Sequence, residues 1–450
     1  MNSNFNFFGM KKKIIISVFF LYAMGMGASL IACTKKTGSS STTPPIVDTA
    51  LVNTNHLDNL YTPATFSDGT IAAGVYIYSN YPNYTNVEAT GEGFTCVDDV
   101  SRAALVYLRS SKFSSDTTIQ SKVYNLITFI LEMQSPNGYF YNFLFANNLI
   151  NTSGATSINN PNWWSWRALQ TLTEAAPILE NQNVQLYNKV QPAINKLIAQ
   201  IKIDLVNLPE TTTIINGITI PQWLPAGSGT DQSSTLILAL LNYCTTTNDA
   251  VISTYIKKLA DGIVLMQQGD TTHFPYGAFL SWENTWHAYG NLQAYALMRV
   301  GSVLNEPQYI TNAMAEVDNF YPWLLQNGFQ VSFAIDSSAG AIQILSDTNY
   351  AQIAYGIEPM VFAAAEAFKR TGQQKYADMA GHLAAWFLGA NAASVNMYSV
   401  STGICYDGIS SPGSVNLNSG AESTIEALLT LEIVEKYPAI KTAMNKYKKN

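Results

Sequence analysis

Residues 233–243 read SSTLILALLNY, and residues 252–266 read ISTYIKKLADGIVLM. Both recur with the 3.6-residue period of a helix. The first run has no charge on any face, which predicts a helix enclosed by protein all round. The second carries Lys257, Lys258 and Asp261 among its apolar residues, which predicts a helix with one wet face. The same two kinds alternate along the chain. Nearly uncharged runs lie at about 100–108, 164–179, 286–300, 353–368 and 423–434; amphipathic runs lie at about 122–133, 184–206, 308–325 and 375–388.

The enclosed helices start near residues 99, 163, 232, 285, 352 and 422. Such near-constant spacing signals internal repetition. Three repeats share a signature after the amphipathic helix: MQSPNG at 133–138, MQQG at 266–269 and LQNG at 325–328. Six pairs of one enclosed and one solvated helix predict an all-α (α/α)6 toroid, with an inner ring of helices inside an outer one. The alternative is a superhelical solenoid, which would expose a groove instead of closing. Only five solvated partners are visible. The sixth is expected in the weaker segment before Gly91, where 64–78 is a candidate helix. Short strands are expected as rim decoration at 212–220, around the Asn216-Gly217 turn, and at 331–335 and 341–345.

The chain has 450 residues, of which 47 % are apolar, enough for a large core. Charged residues are only 12 %, which argues against a disordered or coiled-coil chain. The net charge of −7 disfavours nucleic acid, which needs a basic footprint. Four His and four Cys leave little material for a metal centre, and no cofactor is expected. There is no Gly-rich phosphate loop.

Residues 1–33 read as an address. Lys11, Lys12 and Lys13 precede an apolar stretch that ends in Leu30-Ile31-Ala32-Cys33. This ending resembles a bacterial lipobox, which implies lipidation of Cys33; a transmembrane anchor is the alternative. Residues 34–50 read as a Lys/Ser/Thr/Pro tether, and 51–450 as one catalytic domain. The expectation is an exported lipoprotein, a monomer held at a periplasmic or outer-membrane surface through Cys33.

In a toroid all enclosed helices run the same way, so the loops entering them gather at one mouth. Those loops hold Asn162, Trp163 and Trp164; Asp231; Tyr276; Trp282, Glu283, Trp286, His287 and Tyr289; and Tyr355. Aromatic faces stack on the C–H faces of sugar rings, while amides and carboxylates bond hydroxyls. These residues, with Arg102, are therefore candidate contacts to an oligo- or polysaccharide, several of the aromatics having core packing as their alternative.

Asp98 and Asp99 form the sharpest pair, in CVDDVSRA at 96–103. One can face the mouth while the other caps the helix, and Arg102 is spaced to pair with either. In a closed ring the sixth hairpin adjoins the first, which makes Glu422 their partner across the seam. Two carboxylates about 6.5–9.5 Å apart are what an inverting glycosidase needs. Glu283, among Trp282, Trp286 and His287, is a second candidate acid. Asp231 reads as an N-cap placed to reach a hydroxyl, Glu358 as a structural group inside the barrel, and Asp407 as a turn residue. Tyr289 or His287, with Asn284, offers the proton abstraction of a polysaccharide lyase. Cys96 and Cys405 flank the seam, where a disulfide is possible.

At the level of architecture the chain resembles the six-hairpin glycosidase superfamily over about residues 60–436. The CVDDVSRA segment and NSGAEST at 418–424 resemble paired motifs of bacterial (α/α)6 proteins, some associated with glycan-active enzymes. Family-nine cellulases are similar in layout, with an early Asp pair and a late Glu, but their Asp-Ala-Gly-Asp spacing is absent here. The resemblance implies a carbohydrate-active enzyme. The expectation is a glycoside hydrolase with Asp98 or Asp99 as base and Glu422 or Glu283 as acid. A lyase and a non-catalytic surface glycan-binding protein are the alternatives.

Overall fold

The alternation of enclosed and wet helices becomes two concentric rings. The computed structural model describes residues 50–449, so Cys33, the apolar segment before it and nearly all of the tether lie outside the described residues. A short helix α1 (Asn55–Leu60) comes first. Six inner–outer pairs follow: α2 (Val97–Arg109) with α3 (Thr117–Glu132), α4 (Trp163–Gln182) with α5 (Val184–Asp204), and α6 (Thr230–Thr247) with α7 (Ala250–Leu265). Next come α8 (Gln293–Val303) with α9 (Pro307–Ala315), which runs through a π turn into α10 (Tyr321–Gln326), then α11 (Glu358–Thr371) with α12 (Gln374–Ala384), and α13 (Ala421–Lys436) with α14 (Pro438–Tyr447).

Each inner helix packs on the next, and α13 packs on α2, so the inner ring closes. The solenoid alternative is thereby excluded: the fold is an all-α (α/α)6 toroid. The two opening runs show why. In α6 every residue from Thr230 to Leu241 is buried. In α7 the buried side chains Ile252, Tyr255, Ile256, Leu259, Ala260 and Ile263 form a single stripe at helical spacing, with Gly262 buried beside it.

Three expectations are corrected. The sixth outer helix is the C-terminal α14, not a helix before Gly91. Residues 64–78 form most of a β-hairpin, β1 (Tyr61–Thr65) paired with β2 (Ile71–Val75). Its turn is set by Gly69 at φ +88° and by Asp68, whose Oδ1 accepts from Thr70 N at 2.9 Å. This hairpin packs on α3, and α1 packs on α13. Second, the fourth inner helix begins at Gln293, not at 286. Gly290 takes φ +65°, which a helix cannot pass through, and Thr285–His287 instead pairs with Ser332–Asp336, itself paired with Gln343–Thr348. Third, the regular part of the fifth inner helix starts at Glu358, after a 3₁₀ turn at Ala354–Gly356. The hairpin at 212–220 is present, with Asn216 at φ +49° and Gly217 at φ +74°, the signs a type I′ turn requires.

Among the described residues no helix is long and apolar enough to cross a membrane.

Candidate active site at the ring seam

The first inner helix is capped by neither of its acids. Cys96 is the N-cap of α2, and its Sγ accepts from Asp99 N at 3.4 Å. Asn142 Oδ1 holds Asp98 N at 3.1 Å. Both carboxylates are therefore free to turn inward, one helical turn before Arg102. Arg102 Nη2 donates to Asp98 Oδ2 at 2.8 Å and to Asp99 Oδ1 at 2.8 Å. The same nitrogen reaches Glu422 Oε2 at 3.5 Å, and Nη1 donates to Glu426 Oε1. One buried guanidinium thus gathers four carboxyl groups from the two helices that close the ring.

A second guanidinium braces the first. Arg167 Nε lies 2.9 Å from Asp98 Oδ1, an ion pair bent out of line for a hydrogen bond. Its Nη2 donates to the Tyr355 hydroxyl at 2.5 Å. The Tyr355 ring lies 5.2 Å from the Arg102 guanidinium carbon and 5.1 Å from that of Arg167, within cation–π range of both. Glu358 lines a lumen cavity of about 60 Å³ directly beneath, together with Arg102 and Arg167. That is room for a few waters.

Exposure separates the acids. Asp99 is 4 % exposed and cannot touch a ligand. The Asp98 side chain is 23 % exposed and that of Glu422 is 44 %. Desolvation, opposed by Arg102 and reinforced by the neighbouring acids, pushes Asp99 up to about 6. The same causes push Glu422 up to about 7. Desolvation and the nearby Glu426 carboxylate drive the Glu358 carboxyl well up. The entry to α13 is tied by Asp407, whose Oδ1 accepts from Gly420 N and from Ser423 Oγ, each at 2.8 Å. Asp407 therefore positions Glu422 in addition to shaping a turn.

The opposite side of the mouth is aromatic. Tyr289 is 44 % exposed and stacks on His287, with ring centroids 3.6 Å apart. His287 Nε2 lies 3.1 Å from Asp231 Oδ2, and Nδ1 lies 2.9 Å from the Tyr289 carbonyl oxygen. Burial, with Asp231 nearby, pushes the Tyr289 phenol up to about 12. The half-buried Trp163 ring lies against Gly290, as does the Tyr355 hydroxyl. Trp282 is 42 % exposed, with its indole N–H 3.3 Å from the Ala226 carbonyl.

Several predicted contacts are placed elsewhere. Trp286 is fully buried, stacked on Phe333 with centroids 5.3 Å apart, and offers no face to a ligand. Trp164 is buried and donates to the Phe140 carbonyl at 2.7 Å. Tyr276 packs against Phe274 and Trp323 on the rim. Asn162 spends its side-chain oxygen capping α4, accepting from Trp163 N at 2.8 Å. Tyr355 is nearly buried, and its hydroxyl holds Arg167. Asp231 is not the N-cap of α6; Gly229 is, and Asp231 is freed to meet His287. Glu283 occupies a turn at φ +49° beside Ser228, in the third and fourth entry loops, while Asp98 and Glu422 open across the seam of the first and sixth. Burial raises its pKa. Cys96 and Cys405 are buried free thiols, so no disulfide pins the seam. Among the described residues no group of three or more His, Cys, Asp or Glu is placed to hold a metal ion.

Sequence reasoning passed over Glu426 and Tyr78. Glu426 had a signal: a second acid one turn after Glu422 in an otherwise apolar helix. Tyr78 had none, because its position depends on a backbone contact across more than 300 residues.

No protein-family model and no curated protein sequence matches the chain. Solved structures do. It is similar to a cellobiose 2-epimerase from Bacillus thermoamylovorans, with TM-score 0.56 and 10 % identity, covering 81 % of this chain and 92 % of that one. It is similar to a sugar epimerase from a ruminal bacterium, with TM-score 0.55 and 11 % identity over the same shares. At such identities the likeness speaks for the fold alone, the (α/α)6 toroid described above.

Proposed function

We propose that this protein is a carbohydrate-active enzyme, a glycoside hydrolase that works at the ring seam. The observation that carries this reading is that Asp98 and Glu422, both open to the mouth, meet on one nitrogen of Arg102. The fold's occurrence in two enzymes named as sugar epimerases supports a sugar substrate.

Glu422 is the general acid. Raised to about 7, it holds a proton near neutral pH and can pass it to a leaving glycosidic oxygen. Asp98, between two guanidinium groups, is the attacking carboxylate. Arg102 separates its two acceptor oxygens by no more than the sum of 2.8 and 3.5 Å. That limit falls short of the ~6.5–9.5 Å gap expected of an inverting pair and reaches the ~5–5.5 Å of a retaining one. The spacing therefore fits attack by Asp98 itself better than attack by an intervening water.

Epimerisation is the second reading, favoured by the buried His287–Asp231 pair beside the aromatic wall. It requires a base that takes a proton next to a carbonyl group. Both ring nitrogens of His287 already face acceptors, which leaves neither for a substrate proton. The same contact weakens the lyase alternative, and the raised phenol of Tyr289 is far from the phenolate a lyase base would use.

The test is digestion of a glycan panel by the protein, by Glu422→Gln and by Asp98→Asn. New reducing ends, lost about 100-fold or more in both variants, are expected. Ultraviolet-absorbing products would identify a lyase instead. A changed monosaccharide composition without new ends, retained in both variants and lost in His287→Gln, would identify an epimerase. Binding without product in any form would leave a glycan-binding scaffold.

A further inference from the structure

The segment before the first inner helix carries β3 (Tyr78–Asn80) paired with β4 (Thr85–Val87). This small hairpin is laced to the entry of α13, the helix that presents Glu422. Ala421 N donates to the Ile77 carbonyl at 3.0 Å, and Ser419 N to the Ser79 carbonyl at 3.1 Å. Tyr81 N donates to Asn418 Oδ1 at 3.0 Å. Gly420 permits the approach, because a Cβ there would run into the Ile77 carbonyl oxygen. On its other side the hairpin is tied to the entry of α2, with Ile77 N donating to the Phe94 carbonyl at 3.1 Å.

Strand alternation buries Ser79 and turns Tyr78 and Asn80 outward. Tyr78 is 41 % exposed. Its phenol stands close enough to Glu92, Asp99 and Glu422 for their charges, after burial itself, to hold its proton on. No hydrogen bond engages its hydroxyl within the described residues. It is thus an exposed aromatic face with a free donor, on a rigid mount, beside the proposed acid.

Its place in the ring gives this meaning. Tyr78 lies over the junction of the sixth and first hairpins, while Tyr289 enters the fourth, nearly opposite. Tyr289 reaches inward from its side: its ring centroid is 6.4 Å from that of Tyr355, itself 5.2 Å from the Arg102 guanidinium carbon, so the seam lies within reach of a sugar chain resting on Tyr289. We propose that Tyr78 is a sugar-stacking wall on the seam side of the mouth, facing Tyr289, so that the substrate is an oligosaccharide held on both sides of the bond that Glu422 protonates. This inference rests on the hydrolase reading and deepens it.

The experiment uses Glu422→Gln as a non-turning-over background. Cello-, xylo-, manno- and arabino-oligosaccharides of two to six units, and their monosaccharides, are titrated by calorimetry. Tyr78→Ala is expected to weaken the oligosaccharide that binds by about tenfold, with Tyr78→Phe near the parent and any monosaccharide affinity unchanged. Because Tyr78 is exposed, thermal melts of both variants should match the parent. Oligosaccharide affinity unchanged in Tyr78→Ala would overturn the stacking wall and leave the hydrolase reading standing. An equal loss for the monosaccharide would overturn the two-sided substrate. No binding by any member of the set would overturn the carbohydrate reading, and the wall with it.

Discussion

The two sides of the mouth are built on opposite principles. At the seam, Asp98, Asp99, Glu422 and Glu426 crowd one buried guanidinium, and every polar group but the outer two acids is spent on another. On the aromatic side, Tyr289 and Trp282 leave more than two-fifths of their surface in solvent, and His287, in contact with Asp231, stacks on Tyr289. The first side concentrates charge where solvent is scarce, which shifts proton affinities. The second displays flat apolar faces, which bind without reacting. On the hydrolase reading proposed above, the chemistry belongs to the first wall and recognition to the second.

That division predicts unequal costs. Replacing Arg102 by Met would leave four acids without their common partner. Removing one member of a buried ion pair costs about 3–5 kcal/mol, and Arg102→Met should reach at least that, measured by urea unfolding. His287→Phe on the aromatic wall, where one imidazole–carboxylate contact is lost, should cost less. Equal losses would break the comparison.

Protons sharpen it. Asp99 titrates near 6 in the fold against an ordinary value of 3.8, so the folded state holds its proton more tightly than the unfolded chain does. Its contribution to stability is complete below about pH 4 and is lost as the pH rises through about 6. A shift of that size corresponds to roughly 3 kcal/mol before coupling among the acids is allowed for. Unfolding free energy measured from pH 4 to 7 should therefore fall, and Asp99→Asn should flatten the fall. Glu422 acts in the same direction between 4.5 and about 7, muted by its exposure. A stability profile that rises over this range would refute the reading of the seam.

The two walls were not equally legible. The rings could be read from charge alone, since 233–243 has none and 252–266 has one wet stripe. The seam could be read because ring closure brings the first and last entries together, which places Asp98, Arg102 and Glu422 without any coordinates. The aromatic wall could not. A Trp in a loop looks the same whether its neighbours cover it or not, and the short strand Thr285–His287 decides that Trp286 points into the core. Tyr78 needed a backbone junction between residues 77–79 and 419–421, which no local pattern announces.

The smallest effect belongs to the aromatic wall and tests whether the walls are separable. Gly290 takes φ +65°, where an L side chain is strained by roughly 1–2 kcal/mol. A Cβ there would lie 2.8 Å from the Tyr355 hydroxyl and 2.9 Å from the Trp163 ring. Trp163 is half-buried and can swing away, but the Tyr355 hydroxyl is held by Arg167. Gly290→Ala should therefore cost about 1–3 kcal/mol in urea unfolding, less than Arg102→Met. It should also weaken glycan binding by displacing Trp163. If the walls are independent, the pH dependence of stability should keep its shape, because no seam acid moves. If the added methyl group instead pushes Tyr355 against Arg167, the Asp98 ion pair shifts as well. The profile would then move with the affinity, and Tyr355 would be the part that couples recognition to the acids.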